Sequence, residues 1–267
     1  MKNTSYTRMS YAEVAPTYNQ INFIPVKAAE QIGQAIANLT TGLFLDFGAG
    51  ACRITQPVAE TGITAIALDY EYAMLRSSAD DAPAPTLSYT QGDVVHLPFA
   101  DNSLDTVFTS NVLHLVEEWE KGLHEAARVL KPDGIFIIGR DVLDPNSSAG
   151  KLRSALRRIV GTLDPSMQPT SAAGPALVQA IGKIGGQAGR PVVAAEWTQQ
   201  TSPAELLQRM RTRQQNETWA LSDELLTATM VEVDHFATET FPNLEQIDSV
   251  QWAFHLMPIA NFGSNIS

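Results

Sequence analysis

The chain has 267 residues but one cysteine, Cys52, and few basic side chains. A lone cysteine excludes an intrachain disulfide and suits a reducing compartment. No segment approaches the roughly 18 apolar residues that span a bilayer, and the N-terminus lacks a signal-peptide pattern. We therefore expect no transmembrane segment and a cytoplasmic location. The sequence leaves the oligomeric state open.

The sequence also disfavours a nucleic-acid partner and a bound metal ion. Lys and Arg number 18 against 29 Asp and Glu, which gives a net charge of −11. Because binding to nucleic acid rests on basic side chains that neutralise phosphates, we expect no nucleic-acid partner. No cluster of His, Cys and Asp has the spacing of a metal site, so no metal ligand is predicted.

What the chain does contain is an alternation of short apolar runs with amphipathic segments. The runs that read as buried strands are 43–47, 64–68, 87–90, 104–110 and 135–138. Helical spacing is present at 26–38, 52–60, 71–79 and 117–130, and the last of these ends at a KPDG turn. Such alternation predicts βαβ units, a parallel sheet and helices on both of its faces.

The alternation stops after Asp141. Helical pieces at 145–190 are followed by a candidate sixth strand at 192–197, helices at 203–213 and 222–237, and a last strand at 248–257. We predict one domain over 1–267, with a core at 40–140 and a helical insert at 145–190 that caps the substrate pocket.

The first strand carries Asp46 and runs into Gly48-Ala49-Gly50. Glycines allow a sharp turn and let the backbone approach a ligand without a Cβ in the way. The N–H groups of the turn and of the next helix would then face a crevice. An ordinary tight turn has the same pattern, so this feature alone does not decide between the two interpretations.

Two acidic residues follow the next two strands. Asp69 ends the second strand, where a carboxylate can accept hydrogen bonds from both ribose hydroxyls of an adenosine. A helix N-cap is the alternative for Asp69, and the two roles are compatible. Asp93 comes just after the third strand, where it can accept a hydrogen bond from an adenine amino group.

These three motifs occur in the order LFLDFGAGACRIT, IALDY and QGDVVHLPF, followed by ARVLKPDGIFII at 127–138. In this order they resemble the class I methyltransferases that depend on S-adenosylmethionine (SAM), of the UbiE or type-11 kind. The resemblance implies a Rossmann-like, mostly parallel sheet of seven strands with a helical insert after strand 5. It also implies SAM as cofactor and a small-molecule methyl acceptor. Cys52 departs from the family pattern, which often has a third glycine there, and we interpret it as a small packed residue.

The resemblance further implies cofactor contacts at matched positions near the strand ends. These are Asp46, Gly48, Ala49 and Gly50 at the methionine end, Asp69 with Tyr70 at the ribose, Met74, Asp93 and Val94 at the adenine, and Thr109 and Ser110 at the methionine moiety. Arg53 would pair with the SAM carboxylate, although an exposed helix arginine is nearly as good an interpretation. Tyr18, with Tyr11, would fold over the SAM pocket or would pin the N-terminal segment to the surface.

His114 is the first candidate for a general base, because it follows the fourth strand at the mouth of the crevice; a loop histidine that only packs is the alternative. Further candidates for the base are His96, Asp141 and His235. A basic cluster at 151–158 either attracts an acidic substrate or is a solvated helix face. Trp197 and Trp219 line an apolar pocket or belong to the core.

Two other functions share parts of this pattern. A SAM-binding sensor or partner subunit without transferase activity would keep every cofactor motif. A nicotinamide dehydrogenase would share the first strand, the turn and the acid after the second strand. It would need a small residue where Arg53 stands, and it would leave the Asp93 motif without a role.

Overall fold

The computed structural model describes residues 11–79, 83–167 and 174–265. Within these ranges the strands are β1 Phe44–Phe47, β2 Ala65–Asp69, β3 Leu87–Gln91, β4 Leu104–Ser110, β5 Leu130–Leu143, β6 Gln187–Ala188, β7 Val192–Thr201 and β8 Asp248–Ala260. The α-helices are α1 Tyr18–Ile21, α2 Val26–Ala37, α3 Thr55–Glu60, α4 Tyr72–Ala79, α5 Trp119–Val129, α6 Ser148–Leu163, α7 Gly174–Lys183, α8 Pro203–Arg211 and α9 Asp223–Thr240. Short 3-10 helices lie at Tyr11–Glu13, Ala15–Thr17, Leu113–Leu115, Pro165–Met167 and Asn216–Thr218.

The strands form one sheet in the order β3-β2-β1-β4-β5-β8-β6, and β7 also pairs with β8. Pairing is parallel from β3 through β5, and β6 is antiparallel to β8. The chain reverses its direction of travel across the sheet between β3 and β4, which flank the β2-β1 pair. In open parallel sheets, ligands bind at such a switch, beyond the carboxyl ends of the strands. The predicted α/β architecture is therefore confirmed, with eight strands in place of the predicted seven.

Two compact units divide the chain. The described residues of the larger lie within Ser10–Asp141, Pro169–Ala195 and Phe254–Ser267, and its core contains fully buried Phe47, Leu68 and Phe136. The described parts of the smaller lie within Val142–Gln168 and Glu196–Ala253, where α6, α8 and α9 enclose a separate core. The site residues predicted between Tyr18 and Asp141 all belong to the larger unit.

Two local predictions need correction. The helix predicted from residue 52 begins at Thr55, because Cys52 has a φ of +54°, which a right-handed helix does not allow. Arg53 therefore precedes the helix. The KPDG turn lies within β5, where the register shifts between the Leu104–Leu130 and Thr106–Ile135 pairs. The extra residues form an irregularity of the strand, and the Lys131 ammonium holds it by donating to Asp105 at 2.8 Å.

In the ranges that the structure describes, no helix is both long and apolar enough to cross a membrane. The cytoplasmic location stays a prediction.

Candidate active site

The turn after β1 depends on its glycines. Gly48 has a φ of +88° and Gly50 a φ of +55°, a region that side chains with a Cβ rarely adopt. A Cβ on Gly48 would lie 2.4 Å from Cγ2 of Val112, so space also requires glycine there. The N–H groups of Gly48 and Ala49 both donate to the Leu68 carbonyl at 2.8 Å. These bonds fasten the turn to the end of β2.

Asp69 connects this turn to the segment after β2. Its Oδ2 accepts a hydrogen bond from the Gly50 N–H, and its Oδ1 accepts one from the Glu71 N–H, both at 2.8 Å. Burial raises the pKa of Asp69, although these two N–H groups act in the opposite direction. A carboxylate has about four acceptor positions, so each oxygen can still accept a ribose hydroxyl. Asp69 is not the N-cap of α4, because α4 begins at Tyr72 and the carboxylate binds the Glu71 N–H before it. Its ribose role stays a prediction.

Asp93 lies beside Asp69 at the sheet edge. In the parallel β2-β3 pair Asp69 is opposite Gln91, and the Gly92 N–H donates to the Asp69 carbonyl at 3.0 Å. Asp93 is the next residue, and its Oδ1 accepts a hydrogen bond from the Val95 N–H at 3.1 Å. The glycine turn, Asp69 and Asp93 thus occupy neighbouring carboxyl ends of β1, β2 and β3.

The predicted methionine end lies where β1 adjoins β4. Asp46 is buried and accepts a hydrogen bond from the Thr55 hydroxyl. Thr109 donates to the Phe47 carbonyl at 3.1 Å, so its hydroxyl is used in a hydrogen bond between β4 and β1. The Ser110 hydroxyl is buried, and it has no hydrogen-bond partner among the described residues. A buried hydroxyl without a partner costs free energy, and a polar ligand group would remove that cost. The residues present therefore fit a polar cofactor at this point.

Arg53 is held by an acid from β5. Its Nη2 lies 2.6 Å from Oδ2 of Asp141, and its Nη1 lies 3.4 Å from Oδ1. The amide of Asn111 donates to the same Oδ2 at 2.9 Å. The guanidinium is thus oriented toward a carboxylate, the kind of group that the SAM prediction assigns to it. Arg53 and Asn111 thus already bind this carboxylate, which weakens Asp141 as a candidate base.

The N-terminal tyrosines pack against the glycine turn. The rings of Tyr11 and Tyr18 meet edge to face with centroids 6.5 Å apart, in a small apolar cluster with Ala51 and Met74. Asn19 reinforces the contact by donating to the Ala51 carbonyl at 3.1 Å. Burial raises the pKa of Tyr18, and the Arg53 charge acts against this. The tyrosines therefore lie next to the predicted pocket, and a role in covering the cofactor stays a prediction.

Comparison with known proteins identifies the domain that these elements form. Residues 45–138 match the family model described as a methyltransferase domain. The segment that carries the glycine turn, Asp69 and Asp93 is thus a methyltransferase domain by its family match. S-adenosylmethionine is the cofactor of such a domain, as the resemblance implied.

Individual proteins give the extent of this likeness. A demethylmenaquinone methyltransferase of Renibacterium salmoninarum is 32% identical over 133 residues, which is 48% of this chain and 55% of that protein. The chain thus spans about half the length of the curated relatives it matches. The YcgJ protein of Bacillus subtilis superposes with a TM-score of 0.56 at 19% identity, over 86% of this chain and 97% of that one. The Haemonchus contortus phosphoethanolamine N-methyltransferase 2, solved with S-adenosylhomocysteine, gives 0.52 at 18% identity, over 94% and 58%.

Within the methyltransferase domain, the remaining predicted contacts differ in exposure. Met74 is buried, and a Cβ on Gly50 would lie 3.3 Å from its Cε. Val94 is buried beside Asp93, whereas 53% of Tyr70 is exposed. Met74 and Val94 thus belong to the packed interior, whereas Tyr70 is accessible from the solvent. Their cofactor roles stay predictions.

The three histidines that are candidate bases have different surroundings. His114 lies in the 3-10 helix after β4 with part of its surface exposed, and partial desolvation of its ring lowers its pKa. The ring is therefore neutral at pH 7 and can accept a proton. His96 has its Nε2 3.1 Å from the Lys121 Nζ, on an exposed surface. His235 lies in the smaller unit near Glu239, with 70% of its side chain exposed. Of these three, His114 is the one that directly follows a parallel strand, and its pKa is lowered.

The basic side chains of α6, in the smaller unit, have two kinds of surroundings. Arg153 and Arg157 both bind Glu217, at 2.7 and 3.2 Å. Lys151 and Arg158 line a shallow groove against Phe236.

The two predicted pocket tryptophans have partners of their own. The indole of Trp197 is parallel to that of Trp252, and Trp219 donates to the Arg213 carbonyl at 2.6 Å. In the part of the chain that the structure describes, no three His, Cys, Asp or Glu residues form a metal-binding group.

The sequence reasoning missed Asn111 and Arg128. Asn111 has a φ of +57°, which asparagine tolerates better than most residues, and this backbone places its amide on Asp141. Arg128 lies in the quoted ARVLKPDG motif, where the family resemblance assigned it no role. An asparagine directly after a strand is the signal that could have indicated the first of these contacts.

Asp46 makes the stability of this methyltransferase domain depend on pH. Burial raises its pKa to about 7, while the Thr55 hydroxyl lowers it. The folded state thus keeps a proton that the unfolded state releases near pH 4, so the free energy of unfolding should fall as the pH rises from about 4 to 7. Asp46→Asn should reduce this decline, because an amide stays neutral and still accepts the Thr55 hydrogen bond. Urea denaturation at pH 5 and pH 8 measures both proteins, and an equal decline in the two would contradict the assignment.

Proposed function

We propose that the whole chain is a SAM-dependent methyltransferase that acts on a small molecule. The proposal is carried by the juxtaposition of the Gly48–Gly50 turn, Asp69 and Asp93 at adjacent strand ends. A nucleoside needs polar acceptors for its ribose and its base together with a backbone that allows close approach, and this edge supplies all three. The family match at 45–138 includes the same elements.

In this proposal SAM supplies an activated methyl group, so the protein contributes binding, orientation and exclusion of water. Asp69 holds the ribose and Asp93 holds the adenine. Arg53 pairs with the carboxylate of the methionine moiety, and Ser110 supplies a hydroxyl near it. Tyr18 covers this end of the pocket. His114 accepts the proton of an oxygen or acidic carbon nucleophile, because it follows β4 and its lowered pKa leaves the ring able to accept a proton.

We place acceptor recognition outside the matched segment. The family match ends at residue 138, and the insert at 145–190 follows it. We propose that this insert caps the acceptor within a single functional domain. The acceptor is a small molecule and not a nucleic acid. Demethylmenaquinol is the first compound to test, because it corresponds to the name of the relatives matched over half of their length.

Radiolabelled SAM incubated with the protein and a panel of acceptors tests the activity. The panel should contain demethylmenaquinol, simple phenols and a fractionated metabolite extract. Transfer of label to one acceptor, with stoichiometric S-adenosylhomocysteine, is expected. Tight SAM binding without transfer to any fraction would favour a sensor or partner subunit. Saturation by a nicotinamide dinucleotide but not by SAM would favour a dehydrogenase.

Asp69→Asn should weaken S-adenosylhomocysteine binding by about 10- to 100-fold. The amide nitrogen replaces one charged acceptor and faces backbone N–H donors, which costs about 1–3 kcal/mol. Isothermal titration measures the dissociation constant, and Asp164→Asn in the smaller unit is a control of the same type. If Asp69→Asn bound as tightly as the control, the ribose role of Asp69 would be wrong.

A further inference from the structure

One ion pair on α5 grips the backbone of the loop that follows Asp93. The guanidinium of Arg128 contacts Glu125 twice, with Nε 2.8 Å from Oε1 and Nη2 2.8 Å from Oε2. The same guanidinium donates to the carbonyls of Leu97 at 3.1 Å and Phe99 at 2.9 Å, and to the Asp101 carboxylate at 2.6 Å. These contacts use all of the roughly five donors that an arginine has.

Glu125 completes the grip from the acceptor side. Its Oε2 accepts a hydrogen bond from the Leu97 N–H at 2.7 Å, so both polar backbone groups of Leu97 are bound by the same ion pair. Arg128 holds the pKa of Glu125 below its usual value, which keeps the carboxylate ionised. We call Arg128 and Glu125 the loop clamp.

The loop clamp acts directly beside the adenine prediction. Asp93 and His96 close a tight turn, in which the His96 N–H donates to the Asp93 carbonyl at 3.0 Å. Leu97 is the next residue. Any shift of the Leu97 backbone is therefore transmitted to the turn that holds the Asp93 carboxylate. A hydrogen-bonding group must be held within about 0.5 Å to select its ligand, and side chains that fix the backbone supply this precision.

Resting on the proposed SAM function, we infer that Arg128 and Glu125 are positioning residues that set the preference of Asp93 for the amino group of adenine. They contact the loop and not the reacting atoms. The planar fork of arginine explains the residue type, because it binds a carboxylate with two donors while the others point to two carbonyls. A lysine has three donors around one nitrogen and cannot bind the same partners together.

The test compares binding of S-adenosylhomocysteine with that of S-inosylhomocysteine, in which a carbonyl replaces the adenine amino group. The wild-type protein should prefer the adenine ligand by about 100-fold or more. Arg128→Lys should reduce this ratio by about tenfold, mainly through weaker binding of the adenine ligand. Glu125→Gln should shift the ratio in the same direction. Arg211→Lys, which disrupts an ion pair with Asp234 in the smaller unit, should leave the ratio unchanged.

Thermal unfolding of each variant separates positioning from stability. A loss of affinity for both ligands by the same factor, at constant ratio, would show that the clamp only stabilises the fold and would overturn the inference. Should Arg128→Lys fail to fold, the ratio for Glu125→Gln decides by itself. Asp93→Asn separates the two proposals. If it lowers the ratio while both clamp variants keep it, only the clamp inference fails; if it also keeps the ratio, the adenine site itself is wrong.

Discussion

Gly48→Ala is expected to lower the free energy of unfolding by about 2–5 kcal/mol, as the sum of two costs. The first is backbone strain, because Gly48 has a φ of +88°. The second is steric, because the new methyl group would lie 2.4 Å from Val112 Cγ2, and both partners are fixed by neighbouring strands. Urea denaturation measures the change. Affinity for S-adenosylhomocysteine should fall as well, since the turn carries the Gly50 N–H that orients Asp69.

Gly62 offers a matched control for the strain alone. It has a φ of +96°, and a Cβ there would meet nothing within 4 Å. Gly62→Ala should therefore cost only about 1–2 kcal/mol and leave cofactor affinity unchanged. Equal losses for the two variants would mean that the Val112 contact yields without cost. The steric account of Gly48 would then be wrong.

His114→Ala is expected to lower kcat by about 100-fold or more while the affinity for S-adenosylhomocysteine stays the same. The reason is that a general base acts on the acceptor and not on the cofactor. Because desolvation lowers the pKa of His114, the wild-type rate should rise with pH to a plateau that is reached below the usual histidine range. Initial rates with a saturating acceptor, measured between pH 5 and 8, give both quantities.

His235→Ala is the control for this variant, since His235 lies in the smaller unit with 70% of its side chain exposed. It should retain the wild-type rate and pH profile. A His114→Ala protein with full turnover would remove His114 from the chemistry. The nucleophile would then need no base, or would use a different one.

The sequence was sufficient for most of the parallel half of the fold. Strand β4 has the predicted bounds of Leu104–Ser110, and β1, β2 and β3 differ from their predictions by a residue at one end or both. This success has a physical reason: strands buried on both faces are continuous apolar runs, which a sequence displays directly. The strand β6 at the edge of the sheet could not be predicted in this way. The two-residue strand β6 pairs with the end of β8 through backbone groups alone, and no side-chain pattern reports such a pairing.

Candidate site residues were predictable where their place follows from a strand end. Asp69 and Asp93 belong to this class, because parallel register brings consecutive strand ends together. The Arg53–Asp141 pair was not predictable from the sequence. Its members are 88 positions apart, and a different acidic residue or water could equally have bound the arginine. The start of α3 was missed for a local reason. A cysteine gives no sign that its backbone is left-handed, whereas a glycine at that position would have.

That same cysteine allows the transient opening of the Gly48–Gly50 turn to be followed by a chemical reaction. Cys52 is the single thiol in the sequence, and it is 1% exposed behind the turn. A thiol reagent can therefore modify the native protein only while this region is transiently open, so the labelling rate reports that opening. A ligand that binds only the closed turn should lower the labelling rate by the factor 1 + [L]/Kd. Cofactor affinity could thus be read from mass spectra of the unaltered protein, before any methyl acceptor is known.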